Sequence, residues 1–216
     1  MIESSNSSYR SRWFCLVKKD EATLRFILNL QRLNGVTLKD SAISSNVKTI
    51  AKSCDGCACY TSLNLYVAFD QRELNERSRD LTTFQTPLGT FRLTIIPMGY
   101  TNSMQIMHND MVFILQDEIS RYTNPFVDDC STLSVRTRYE LANDEYEVLK
   151  ENSSIRRFIH EHICILNRIL QRMKVVGGTF FEIKIIIVTN SIVFLKHRLT
   201  YMSRESNDTK VQKVRD

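Results

Sequence analysis

Apolar positions along this chain fall into several short runs of strand type and one long run of helical period. Trp13 to Val17 and Thr23 to Leu30 read as two strands around the polar turn Lys18-Lys19-Asp20-Glu21, a hairpin with basic residues at its tip. Tyr60 to Phe69 is a β-rich run of the kind that forms a buried strand. Leu81 to Leu93 predicts a second hairpin turning at Pro87-Leu88-Gly89, and Thr101 to Leu115 suits a helix. Asn124 to Leu133 predicts a strand pair turning at Val127-Asp128-Asp129. The polar, Ser-rich residues 1–12 read as frayed, residues 41–54 as loop or short helix, and residues 135–152 as a charged loop.

The clearest element is a helix over Ser154 to Val176. Ile155, Phe158, Ile159, Ile163, Leu166, Ile169, Leu170 and Met173 repeat at 3.6-residue spacing, with arginines on the other face. Ser153 or Ser154 can cap its start, and Gly177-Gly178 ends it. Strands over Phe180 to Val188 and Ile192 to Leu195 follow, joined by Thr189-Asn190-Ser191, and the polar tail after Tyr201 reads as disordered. Strands and helices mix without strict βαβ alternation, which predicts an α+β fold.

Composition changes this picture little. The 216 residues are 43% hydrophobic and 25% charged, ordinary for a globular chain. No stretch approaches the ~20 apolar residues of a membrane helix, and the start lacks the basic and apolar segments of a secretory signal. An intracellular setting is the expectation, with cytoplasm and nucleus not distinguished. The net charge of +5 permits phosphate binding without demanding it. Cys54-Asp-Gly-Cys57-Ala-Cys59 contains a C-x-x-C, but a zinc site needs a second ligand pair. His160 and His162, two apart on a helix, point in different directions, so the cysteines read as ordinary reduced thiols. Only six glycines and three prolines occur, well below the typical ~7% and ~5%, in a fold that needs turns.

The candidate chemistry lies in Phe126-Val127-Asp128-Asp129. Adjacent carboxylates between apolar strands repel each other and lose solvation, and metal ions would relieve both costs. Taken alone, a solvated Asp-Asp turn is the simpler reading. Motif order changes that. Leu63-Asn64-Leu65, the segment Ile96-Pro97-Met98-Gly99-Tyr100-Thr101-Asn102-Ser103 and Phe126-Val127-Asp128-Asp129 resemble motifs A, B and C of reverse transcriptases, particularly gypsy-type long-terminal-repeat retrotransposons of fungal kind. Leu24 to Asn34 resembles the family's fingers motif, and Asp80 to Gly89 its link between motifs A and B. Gly177-Gly178 through Lys184 resembles motif D, and Phe194-Leu195-Lys196-His197 the primer grip. The resemblance covers residues 12 to 201. It implies a right-hand polymerase core, with fingers over 1–46 and 71–99 and palm over 47–70 and 100–197. The palm would be an antiparallel sheet packed on helices, and 198–216 a polar tail where an absent thumb would begin.

The resemblance also implies in-line phosphoryl transfer from a deoxynucleoside triphosphate to a DNA primer 3′-hydroxyl on an RNA template, with two magnesium ions. Asp128 and Asp129 would be the metal-binding pair from motif C. Lys18 and Arg25 match residues that grip the triphosphate, Phe69 the steric gate against the ribose 2′-hydroxyl, and Met98 and Gly99 the floor of motif B. Lys184 matches a lysine proposed to protonate the leaving pyrophosphate, and Phe194, Leu195 and His197 fall in the primer grip. Arg157, Arg168 and Arg172 form a basic helix face suited to a phosphate backbone. The pattern breaks at Asn64, where the family has its third aspartate: a carboxamide offers one acceptor oxygen, and its N–H donors cannot face a cation. Asn29 in place of aspartate and Lys196 in place of glycine are further departures. With the scarcity of glycine and proline they point to a decaying copy. Its alternative to a weak polymerase is a non-catalytic relic that at most binds nucleic acid. A protein-interaction domain unrelated to polymerases would require all six matches to be accidental.

Overall fold

The computed structural model describes residues 1–17, 23–40, 50, 53–202 and 204–206. Lys18, most of the 41–54 segment and residues 207–216 lie outside the described residues. Contacts divide the chain into two compact units, one of residues 1–42 and 67–109, the other of 43–66 and 110–216.

In the first unit the expected hairpin forms as β2 (Trp13–Val17) and β3 (Leu24–Leu28), paired antiparallel with Leu16 opposite Arg25. Helix α1 (Gln31–Val36) follows. The second hairpin, β5 (Phe84–Thr86) and β6 (Gly89–Leu93), turns at Pro87-Leu88 as its residues predict. The N-terminus departs from expectation. Ile2–Ser4 is a strand, β1, pairing antiparallel with β6 in the order β1-β6-β5. Glu3 holds it there by ion pairs to Arg92 at 2.8 Å and Arg79 at 3.3 Å. Polar composition suggested fraying, whereas charge pairing supplies the partner. Leu28, Leu30, Phe84 and Leu93 form this unit's core, and a short helix α2 (Glu76–Arg79), capped by the Asn75 side chain, precedes β5.

Helix α3 (Ser103–Leu115) occupies the place the pattern gave it. In the second unit, a four-stranded antiparallel sheet runs β7-β8-β4-β9, from β7 (Thr123–Phe126), β8 (Asp129–Leu133), β4 (Tyr60–Asn64) and β9 (Ile186–Thr189). Strand β4 is central, and Thr61, Leu63 and Tyr60 are almost wholly buried. It ends at Asn64, not Phe69: Val67 adopts a left-handed conformation at φ 43°, and a 3₁₀ turn spans Ala68–Gln71. The run Phe180 to Val188 likewise begins with a 3₁₀ turn at Glu182–Lys184 and extends only from Ile186.

Helix α4 (Arg157–Val175) starts at an uncapped Arg156, not at Ser153 or Ser154, and ends at Gly177 with φ 73°. Its buried face is Phe158, His162, Ile165, Leu166, Ile169 and Met173, while Ile163 is 42% exposed. A second sheet, β10 (Ser191–Phe194), β11 (His197–Thr200) and β12 (Arg204–Ser206), continues into the region expected to be disordered. Ile192, Phe194 and Leu199 pack with Cys54, Cys57, Tyr60 and Leu133 in one core. Among the described residues, no helix is long and apolar enough to cross a membrane.

Candidate active site

The sheet register of the second unit brings together the segments that resemble motifs A and C. Asn64, the last residue of β4, stands opposite Asp129, the first of β8. Asp128 lies in the two-residue loop closed by the Phe126–Asp129 pair. The first loop residue, Val127, is buried and held at φ 58°, a conformation that glycine adopts without cost and a β-branched residue does not. Leu65 N–H donates to Asp128 O at 2.9 Å, and Phe181 N–H to Asn64 O at 2.8 Å, so the backbone on both sides of Asn64 is fixed.

Within this frame the carboxamide of Asn64 faces both acids. Its Nδ2 donates to Asp129 Oδ1 at 2.6 Å and to Asp128 Oδ2 at 3.3 Å. Its Oδ1 accepts from Lys184 Nζ at 3.4 Å. Lys184 sits at the end of the 3₁₀ turn, 5.4 Å from the Phe181 ring centroid. Burial pushes the Asp129 carboxyl above its usual range; the Asn64 hydrogen bond and Lys184 pull it back, and Asp128 pushes it up.

This donor set does not fit the two-ion centre that the resemblance implies. Among the described residues no three His, Cys, Asp or Glu side chains are grouped to hold a metal. The two carboxylates present already accept N–H protons from the residue that should be their third partner. An amide nitrogen presents hydrogens, not a lone pair, to whatever lies between those carboxylates.

Other positions named from the sequence lie in the first unit or in the β10–β11 hairpin of the second. Arg25 is exposed on β3, and Phe69 is half-buried in the 3₁₀ turn after Val67. Met98 and Gly99 are exposed in a loop clamped by Asn34, whose Nδ2 donates to Gly99 O at 2.9 Å and whose Oδ1 accepts Thr101 N–H at 2.9 Å. Ser103 Oγ adds a bond to Pro97 O at 2.7 Å. Asn34 was not singled out in the sequence, because nothing local marks an asparagine as a partner for a loop 65 residues away. Phe194 and Leu195 pack into or against the core, and His197 pairs with Phe194 across the β10–β11 turn.

One set of expected contacts is redirected. Arg157 pairs with Glu147 and Glu161 at 3.0 Å, Arg168 with Glu118 at 2.9 Å, and Arg172 with Asp117 at 2.6 Å. The helix arginines are thus engaged within the fold and not presented as a bare basic face. A further link escaped the sequence reading. Thr61 Oγ1 accepts Val188 N–H at 3.2 Å and shares a hydrogen bond with His162 Nε2 at 2.8 Å, tying α4 to β4.

No family model matches the chain. The sequence is 27% identical over 133 residues to the retrovirus-related Pol polyprotein from transposon 297 of Drosophila melanogaster, covering 60% of this chain and 13% of that polyprotein. It is 24% identical over 134 residues to the corresponding polyprotein from transposon gypsy of the same organism, with the same 60% and 13% coverage. The chain thus spans about an eighth of the length of these relatives, 13% in each case. The foamy viral protease–reverse transcriptase solved in complex with double-stranded DNA superposes with a TM-score of 0.80 at 18% identity, over 100% of this chain and 34% of that one. The chain is therefore reverse transcriptase-like in sequence and carries the fingers-and-palm fold of those enzymes.

Proposed function

We propose that this chain is the fingers-and-palm core of a gypsy-type retroelement polymerase, of fungal kind, whose nucleotidyl transfer is crippled at Asn64. The observation that carries the reading is the convergence of Asn64 with Asp128 and Asp129 on paired strands, at 3.3 and 2.6 Å. Strand order alone does not require that convergence, but a motif A to motif C pairing does. The partners are an RNA template with a DNA primer and deoxynucleoside triphosphates. Arg25 and Lys18 contact the triphosphate, Phe69 gates the sugar, Met98 and Gly99 lie under the templating pair, and the Phe194-Leu195-His197 hairpin supports the primer. Magnesium is the ion such chemistry uses, and it takes carboxylate oxygens. Asn64 removes one of the three carboxylates and points donors at the other two. Loss of such a contact typically costs ~3–4 kcal/mol in the transition state, or two to three decades in rate.

The test is single-nucleotide extension of a DNA primer on an RNA template, with magnesium titrated. Asn64→Asp is expected to raise extension at least ~100-fold over the natural chain. Asp128→Asn in that background removes the gain, because both residues act at one centre and their effects do not add independently. Robust extension by the unmodified chain would show that Asn64 is tolerated. If Asn64→Asp stays inactive, the second reading stands: a retroelement relic that at most binds nucleic acid. The left-handed Val67, Val127, Leu195 and Lys196 favour that reading, since each is a non-glycine residue in a conformation glycine adopts freely.

A further inference from the structure

An acidic pair at the end of a buried strand needs a counter-charge if the sheet around it is to stay closed. Here the positions around the pair are filled by protein groups. Asn64 has two N–H donors, and the geometry uses its amide nitrogen for both acids, at 2.6 and 3.3 Å. Its oxygen is turned the other way, toward the Lys184 ammonium at 3.4 Å. The reverse orientation would place a carbonyl oxygen against two carboxylates and an amide against an ammonium, so the lysine and the acids together select one orientation. The result is a chain of dipoles from Lys184 through Asn64 to Asp129 and Asp128, with its positive end on the acids.

The backbone does not let the acids separate. Asn64 is 9% exposed, paired with β8 on one side and bonded on the other by Phe181, whose N–H donates to its carbonyl. Its pairing with Asp129 and the Leu65–Asp128 backbone bond hold both acids within reach of the carboxamide. An aspartate at position 64 would convert the 2.6 Å N–H···O contact into an oxygen–oxygen contact and raise the count of negative charges from two to three. Among the described residues, Lys184 would then be the cation that opposes them.

We propose that Asn64 and Lys184 act as a built-in counter-charge for Asp128 and Asp129, so that this palm folds and holds its acidic site together without a divalent cation. The proposal rests on the reading of these residues as the polymerase site. It adds that Asn64 does more than leave out a metal ligand, because its carboxamide, backed by Lys184, itself offsets the charge of the two acids. A divalent ion entering the site must first displace the carboxamide.

Thermal unfolding of the full chain tests this, in EDTA and with millimolar magnesium or manganese. The natural chain is expected to shift in Tm by less than about 1 °C between the two conditions, while Asn64→Asp unfolds lower in EDTA and gains at least about 4 °C with either ion. Asp128→Asn added to Asn64→Asp returns the charge count to two and removes both the EDTA penalty and the gain. If Asn64→Asp is too unstable to purify without metal, Lys184→Met in the natural background is the second probe, and it is expected to lower the Tm in EDTA and introduce a metal-dependent gain. A natural chain stabilised by magnesium as much as Asn64→Asp, or an Asn64→Asp chain indifferent to EDTA, overturns the proposal. Primer extension separates the two claims. Metal-linked stability without extension by Asn64→Asp sinks the polymerase reading and keeps the counter-charge; extension with equal metal stabilisation of both chains does the reverse.

Discussion

His162 and Ile163 exchange the places that hydrophobic periodicity assigns them. The apolar stripe puts Ile163 inside, yet it is 42% exposed while His162 is fully buried. The reason is a partner the sequence does not display: the Thr61 hydroxyl on β4 is hydrogen-bonded to His162 Nε2 at 2.8 Å, and an isoleucine can make no such bond. Burial without a counter-charge lowers the His162 pKa from 6.5 to about 4, so the folded state holds the ring neutral. The sign follows. Below pH 6.5 the unfolded chain takes up a proton that the folded chain refuses, so stability present above pH 6.5 is lost as pH falls toward 4. Between pH 7.5 and 5 this one group removes about 2 kcal/mol of unfolding free energy. His162→Gln keeps both a donor and an acceptor for Thr61 and cannot titrate, and denaturant unfolding at the two pH values should show its pH dependence smaller by about that amount. An unchanged dependence would mean the ring is charged or hydrated in the fold. Asn64 shows the same limit of sequence reading. Its convergence with the motif C acids is implied by motif order, but the direction of its amide depends on Lys184, 120 residues later.

Elements defined by local chemistry were legible, and those defined by a distant partner were not. The hairpins β2–β3, β5–β6 and β7–β8 combine strand-forming runs with short turns, and each forms where those residues place it. Strand β1 was missed because its pairing depends on Glu3 meeting Arg79 and Arg92. The C-terminal half of the run Tyr60 to Phe69 was misjudged because Val67 is driven left-handed against its own preference. The β10–β11 hairpin illustrates both sides. Phe194 pairs with His197 around Leu195 and Lys196, with φ of 50° and 66°. A two-residue loop with both residues left-handed is the turn that favours Asn-Gly or Gly-Gly. Lys196 occupies a position that suits glycine, as the departure from the family pattern suggested. Lys196→Gly should therefore stabilise the chain by about 1 kcal/mol, less what glycine adds to the unfolded entropy, and raise the Tm by roughly 2–4 °C. Leu195 packs against the core and is not a site for the same change. A fall in Tm on Lys196→Gly would place the strain elsewhere in the turn.

At the scale of the whole molecule, a net charge of +5 has to be located before it says anything about nucleic acid. The arginines of α4 do not supply a free surface, because Arg157, Arg168 and Arg172 each meet a carboxylate at 3.0 Å or less. Arg168 is the most committed of them. Its partner Glu118 has a side chain only 6% exposed, and the guanidinium holds that carboxyl below the usual range. Neutralising Arg168 leaves a nearly buried acid with only the 4.0 Å ion pair to Arg172, at a cost of roughly 1–2 kcal/mol. The exposed Arg25 on β3, with Lys18 in the same predicted hairpin, is the better candidate for phosphate contact. Each phosphate neutralised contributes about 0.9 to the slope of log affinity against log salt on a duplex. Fluorescence anisotropy on an RNA–DNA duplex, repeated over a salt series, should show sequence-independent binding that weakens steeply with salt. Lys18→Ala with Arg25→Ala should reduce the slope by about 2 without changing the Tm by more than about 1 °C. Arg168→Ala with Arg172→Ala should do the opposite, leaving the slope within about 0.5 of the natural value while lowering the Tm by several degrees. A slope that responds to the helix arginines and not to the hairpin would place the nucleic acid on α4 and overturn the assignment of those ion pairs to the fold. Binding that is absent at low salt, or indifferent to it, would remove nucleic acid from the account of this chain altogether.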